Sequence, residues 1–282
     1  MKKLIFVSIA IMVMSGIKAQ SYIPTKDDIK TFFHTKTLVV LSNNPLREYN
    51  LVIQEVMKQE WTITPFEFIS ESEFDEKRMD PQYSFIYMAQ VSFEKDKTDA
   101  IYRFLHLSLG GDYFRKNQMP DIAAVPVAYY NVEEDQYAYK LALLVRFIQN
   151  HALLIKDNPN LISQNVFKHY NDNIKDMKGK TLYLLENELS KNVNSAARIK
   201  KVYSGKFKIV TKDEIKTAIK ERDENIVFLH KVGPEGTKIN ARCYKIIVGA
   251  ADAQFYYFDY HKINKKMPDG FLDKDFKKLV VN

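Results

Sequence analysis

Six histidines, His34, His106, His151, His169, His230 and His261, are the side chains best suited to bind a metal or move a proton near neutral pH. They are widely scattered. No two stand four apart on a helix face, and no His-Glu-x-x-His occurs, so no metal site is expected. A phosphate cradle needs glycine between a strand and the helix that follows it. No glycine follows the apolar runs 36–41 and 180–185, and Gly110-Gly111 closes an expected antiparallel strand, where it reads as a plain turn. Gly-x-Ser-x-Gly, the serine-hydrolase elbow, is absent. No cofactor is implied.

Carboxylates offer more temptation. Glu133, Glu134 and Asp135 precede an expected helix, where compensation of the helix dipole accounts for them. Glu73 and Glu214 recur at matching places, each three residues after Ser70 or Thr211, and the capping box explains that spacing. Paired carboxylates for glycoside cleavage are set by the fold and not by distance along the chain. Cys243 is the only cysteine, which excludes an intramolecular disulfide, and its apolar run predicts a buried side chain.

The elements that would position these residues are written twice. Residues 36–41 read Lys-Thr-Leu-Val-Val-Leu and residues 180–185 read Lys-Thr-Leu-Tyr-Leu-Leu. A helix with Thr25 as N-cap precedes the first run. The pattern then predicts a helix over 46–60 with Leu51, Val52, Val56 and Met57 inward, a strand over 64–69, a short helix from Ser70, and a strand over 83–88. Two further strands follow, 100–109 and 122–130, the second marked as an edge or bulge by Pro126. A strong helix ends at Asn158-Pro159-Asn160. The second copy predicts helix 164–177, strand 181–185, helix 189–203, strand 207–210, a helix from Thr211, strands 226–230, 244–248 and 255–260, and a closing helix 273–279. Strand 226–230 is matched with 83–87. The expected fold is therefore α/β. It has two similar tandem units, 20–160 and 161–282, each a mixed sheet of βαβαβ followed by antiparallel strands with flanking helices.

Residues 1–19 read as a signal peptide: Lys2 and Lys3, an apolar stretch over 4–14, then Ser15, Gly16 and Ala19 before an expected cut. The apolar stretch is shorter than the roughly 20 residues that span a bilayer, so no transmembrane segment is expected after cleavage. Losing Lys2, Lys3 and Lys18 lowers the formal charge from +7 to +4, and the remaining charge is dispersed, which argues against nucleic acid. The expected location is periplasmic or extracellular.

Ligands of open α/β sheets bind beyond the carboxyl ends of parallel strands. That rule selects Ser42, Asn43 and Asn44 in the first unit and Glu186 and Asn187 in the second. The aromatic strand 255–260 offers a partner surface through Tyr256, Phe258 and Tyr260, or through the opposite set Phe255, Tyr257 and Asp259. The sequence therefore reads as a non-catalytic binding or assembly module of the bacterial cell envelope, with an envelope protein or glycan as partner. The competing reading is a hydrolase of glycan or peptide with its site between the units.

Overall fold

A computed structural model describes residues 23–113, 115–163, 166–236 and 238–280. The expected signal segment lies outside them. Two five-stranded mixed sheets, each with helices, form an α/β fold of two similar units.

In the first unit, α1 (Lys26–Phe32) leads into β1 (Lys36–Leu41), α2 (Glu48–Glu60), β2 (Phe66–Ser70), α3 (Glu71–Lys77) and β3 (Tyr83–Ser92). Then β4 (Ile101–Leu109) and β5 (Asp121–Tyr129) fold back, and α4 (Leu141–Asp157) closes the unit. The second unit runs α5 (Val166–Asn171), β6 (Thr181–Leu184), α6 (Ala196–Ile199), β7 (Lys206–Ile209), α7 (Lys212–Glu221), β8 (Ile226–Val232), β9 (Arg242–Gly249), β10 (Phe255–Lys262) and α8 (Asp273–Lys278).

Strand order is β2-β1-β3-β4-β5 in one sheet and β7-β6-β8-β9-β10 in the other. In each, the first three strands are parallel and the last two antiparallel. The two Lys-Thr-Leu strands thus occupy the same topological place, second from the edge. Their pairing corrects one expected equivalence by a residue. Thr37 stands opposite Ser84 and Thr181 opposite Ile226, so Ile226 takes the place of Ser84 and not of Tyr83. A one-residue slip turns every side chain to the other face, and only the corrected match puts Ile86 and Phe228 on the same side, in the shared core.

Three capping boxes hold the helix starts. Thr25 with Asp28, Ser70 with Glu73 and Thr211 with Glu214 each accept and return the N-cap and N3 bonds. Pro126 lies on an edge strand and also at a bulge, where Arg103 pairs with Ala128 but Phe104 with Pro126.

Elsewhere the pattern misled. Helix α2 begins at Glu48, and Tyr49, Ile53, Val56 and Met57 face inward while Leu51 is exposed. Only Ala196–Ile199 of the expected helix 189–203 is helical. Its sequence holds Ser190, Asn192, Asn194 and Ser195, residue types that compete for backbone partners, and an isolated bridge forms instead, with Ser190 N–H donating to the Phe271 carbonyl and Phe271 N–H to the Glu188 carbonyl. Of helix 164–177, the first two residues lie outside the described ones, α5 ends at Asn171, and a 3-10 stretch follows at Asp172–Met177.

One face of each sheet looks into a common core: Val39, Ile86, Leu105 and Leu107 from the first, Phe228, Ile246 and Val248 from the second. Helix α4 lies within it, with Leu141, Leu143, Leu144, Val145 and Ile148 almost fully buried. Burial of each such side chain contributes about 1.5–3 kcal/mol. The opposite faces have separate cores, Phe74 and Phe85 under α3 and Val227, Leu229 and Phe276 under α8.

Candidate functional sites at the carboxyl ends of the parallel strands

Two hollows lie beyond the parallel strands, one in the first unit and one where the second unit meets it. The 3-10 turns at Glu134–Gln136 and Ala138–Lys140 run between them, and Tyr137 lines both.

The first is a cleft of about 590 Å³. Phe74 of α3 and Tyr87 of β3 pack at 4.9 Å between ring centres, and the Tyr87 ring stacks on His106 at 5.1 Å and 13°. Beneath them, Asp121 Oδ1 accepts from the Ser108 hydroxyl (2.6 Å) and from His106 Nδ1 (3.1 Å). This is not a nucleophile arrangement, because Ser108 bonds to the carboxylate and not to the imidazole, and it is fully buried. His106 Nε2 is buried with no hydrogen-bond partner among the described residues.

Two ion pairs lie in this cleft besides His106 with Asp121. Lys116 binds Asp75 at 2.7 Å, and Arg47 binds Glu134. Glu134 Oε2 also accepts the Tyr49 backbone N–H at 3.0 Å. Burial opposes the Glu134 charge, but that N–H and Arg47 outweigh it and hold the carboxyl below its usual range. Glu134 therefore satisfies the start of α2, not of the helix that follows it in sequence, which begins only at Leu141. Arg103 Nη1 donates to the Val132 carbonyl at 2.8 Å, and its guanidinium lies 5.6 Å from the Tyr137 ring centre.

The second hollow, about 200 Å³, lies between the units. Lys140, from the turn before α4, reaches Glu188 Oε1 at 3.4 Å and His230 Nδ1 at 3.4 Å. His230 Nε2 is 2.9 Å from the Pro126 carbonyl. That carbonyl can only accept and the ammonium can only donate, so the neutral ring carries its proton on Nε2. Burial, aided by Lys140, pushes the His230 pKa down to about 3. Burial also raises the Glu188 carboxyl, against the pull of Lys140 and Lys231. Lys140 keeps its charge because Glu188 and Tyr139 outweigh the burial penalty. Lys231 pairs with Asp269, and Gly233 sits so close that any side chain there would collide with Asp269 Oδ1. Beside them Cys243 is buried, and burial pushes its thiol up to about 12. Among the described residues, no His, Cys, Asp or Glu cluster could hold a metal.

The residues expected from sequence fall as follows. Ser42 lines the first cleft and Asn187 the second pocket. Both Ser42 and Asn44 are pinned by Asn50, whose amide accepts from Ser42 N at 2.8 Å and donates to both carbonyls at 2.9 Å. Asn43 donates to Glu71 at 2.8 Å. Glu186 is exposed on the 3-10 turn at Glu186–Glu188 and lines neither hollow. The expected partner surface is not assembled: Tyr256 and Phe258 are buried, and Tyr260 alone of the three is exposed. A register shift between Phe255 and Tyr257 and cover on both faces of β10 put Phe255 and Tyr257 inside as well.

Sequence reasoning missed the buried ionisable groups, Lys140, Glu188, His230, Lys231 and Asp269. The available signal was an ionisable residue inside an apolar strand, as at Lys231 and Lys245, since lysine is almost never buried unpaired. No family model, no curated protein and no solved structure matches the chain.

Proposed function

We propose that the chain is exported and acts as a non-catalytic binding or assembly module of the bacterial envelope, with the first-unit cleft as the seat for a segment of an envelope protein. The supporting observation is the pairing of the cleft's ionisable groups. Arg47 with Glu134, Lys116 with Asp75 and His106 with Asp121 tie acid to base at three places, Arg103 and Glu71 have no ion-pair partner among the described residues and leave charge to be recognised, and the Glu134 carboxyl is held below its usual range. Reversing the rim with Lys116→Glu and Glu71→Lys should abolish retention of a partner cross-linked by wild type in its native envelope, with melting unchanged. Retention by the reversed protein would overturn the reading. Mass spectrometry of the mature protein should find Gln20 at its terminus.

The hydrolase reading draws support from one feature, the raised carboxyl of Glu188 at the unit junction. The adjacent Lys140 ammonium works against it. Hydrolysis of glycan or peptide by wild type and not by Glu188→Gln would favour this second reading.

A further inference from the structure

We propose that the junction pocket is a second binding site, which seats a single neutral, hydroxyl-bearing ring of monosaccharide size. Its position is the first ground: it opens where Leu185 and Asn187 follow β6 and Val232 ends β8, the place where open sheets take their ligands. Its size is the second. At 200 Å³ the pocket holds the volume of about seven waters, which matches one sugar ring and excludes a chain of them.

Charge decides the class of ligand. Every ammonium around the pocket already has a carboxylate: Lys140 has Glu188, Lys231 has Asp269, and Lys212 has Asp135. An anion entering would have to displace one of these partners. A cation would meet three ammonium groups. Glu235 lines the mouth but is exposed, so solvent screens it. A neutral ligand disturbs none of the pairs.

The hydrogen-bond inventory then asks for a hydroxyl. Glu188 Oε1 faces Lys140, while Oε2 is buried with no hydrogen-bond partner among the described residues, on a side chain only 10% exposed. That oxygen accepts when ionised and donates when protonated, and a ligand hydroxyl answers either. Tyr137 and Tyr139 on the turn line the pocket and add aromatic carbon, against which the C–H side of a sugar can pack.

The test uses the mature full-length chain in titration calorimetry and thermal unfolding. D-Glucose and N-acetyl-D-glucosamine are the neutral probes, and D-glucosamine and D-glucuronate are their charged counterparts. At least one neutral probe should bind saturably at concentrations up to ~10 mM. The charged ones should bind about tenfold more weakly or worse, the effect of one strong hydrogen bond lost or one charge misplaced. Glu188→Gln should weaken binding to a similar degree. Because it also leaves Lys140 unpaired, Asn187→Trp serves as a second variant. Asn187 is exposed on its turn, so the indole should cap the mouth and abolish binding with native melting. Lys116→Glu, in the other cleft, should bind the sugar as wild type does, which separates this site from the proposed partner seat. No saturable response to either neutral probe, equal binding of the charged probes, or wild-type binding by Asn187→Trp would each overturn the proposal.

Discussion

At the scale of single residues, the interior holds more charge than its apolar strands suggest, and each charge has a reason to stay. Lys245 and Asp275 are fully buried, bonded at 2.7 Å, with the Tyr257 hydroxyl adding a second contact to Asp275 at 3.0 Å and the Leu272 backbone N–H a third at 2.9 Å. That network is complete, so truncating one member would leave a buried charge alone, a loss of about 3–5 kcal/mol. His230 is different, because its contribution depends on pH. Its usual pKa of 6.5 falls to about 3 in the folded protein. Between those values the unfolded chain takes up a proton that the folded one refuses. Stability from this residue is therefore complete above pH 6.5 and is lost as pH falls toward 3, by about 1.4 kcal/mol per pH unit. Urea unfolding at pH 7.0, 5.5 and 4.5 should show wild type losing stability more steeply than His230→Gln, which keeps a donor for Pro126 but cannot be protonated. Equal slopes for the two proteins would remove His230 from the account. Burial also lowers His151, to about 4, so some acid sensitivity remains in the variant.

At the scale of elements, what could be read from sequence was whatever depends on neighbours in the chain. Capping boxes are local: Ser70 bonds Glu73 N at 3.3 Å and receives the returned carboxylate on its own N–H at 2.8 Å, and Thr211 with Glu214 repeats this at 3.3 and 2.9 Å. Ser70→Ala and Thr211→Ala should each lower stability by about 0.5–2 kcal/mol, measured by denaturant midpoints at constant slope. Unchanged midpoints would show that these caps do not hold the helices. The strands and the mixed character of each sheet were also legible, because alternation and turn residues report strands locally. The failures came where distant parts of the chain decide. Apolar residues at 189, 193, 199 and 202 imitate a helix, yet Leu189 pairs with Phe271, some eighty positions on. Glu134 looks like the start of its own helix but serves α2 instead. Strand β10 shows the same limit, since alternation cannot reveal that both faces are covered. Replacing Tyr256 and Phe258 with Ser should therefore cost several kcal/mol, about 3–5 for each large ring lost from a core, while Tyr260→Ser should cost little. A stable Tyr256→Ser, Phe258→Ser protein would restore the partner surface that burial now argues against.

At the scale of the whole molecule, the two similar units are not independent bodies. The shared core draws side chains from both sheets, and helix α4 of the first unit reaches directly into the second. Arg146 on α4 donates to the Ala250 and Ala251 carbonyls of the β9–β10 turn, and Asn150 donates to the Asp252 carbonyl at 2.9 Å. Tyr102 of β4 bonds the Arg242 backbone through its hydroxyl, and Asp96 pairs with the Arg242 guanidinium. The buried junction cluster likewise takes Lys140 from one unit and Glu188, His230 and Lys231 from the other. Repeated units that fold alone keep their apolar faces to themselves. Here the face of the second sheet bearing Phe228, Ile246, Val248 and Phe255, all with 0% exposure, is closed against the first unit and the helices around it. Expressed alone, residues 161–282 should bare that face, and such an exposed apolar surface drives association. The expected result is a fragment that aggregates, or that unfolds without a cooperative transition. Co-expression with residues 20–160 should restore a soluble complex with a single sharp melt. A sharp, reversible melt from 161–282 alone would show instead that the second core, built around Leu182, Val227, Leu229 and Phe276, is sufficient by itself.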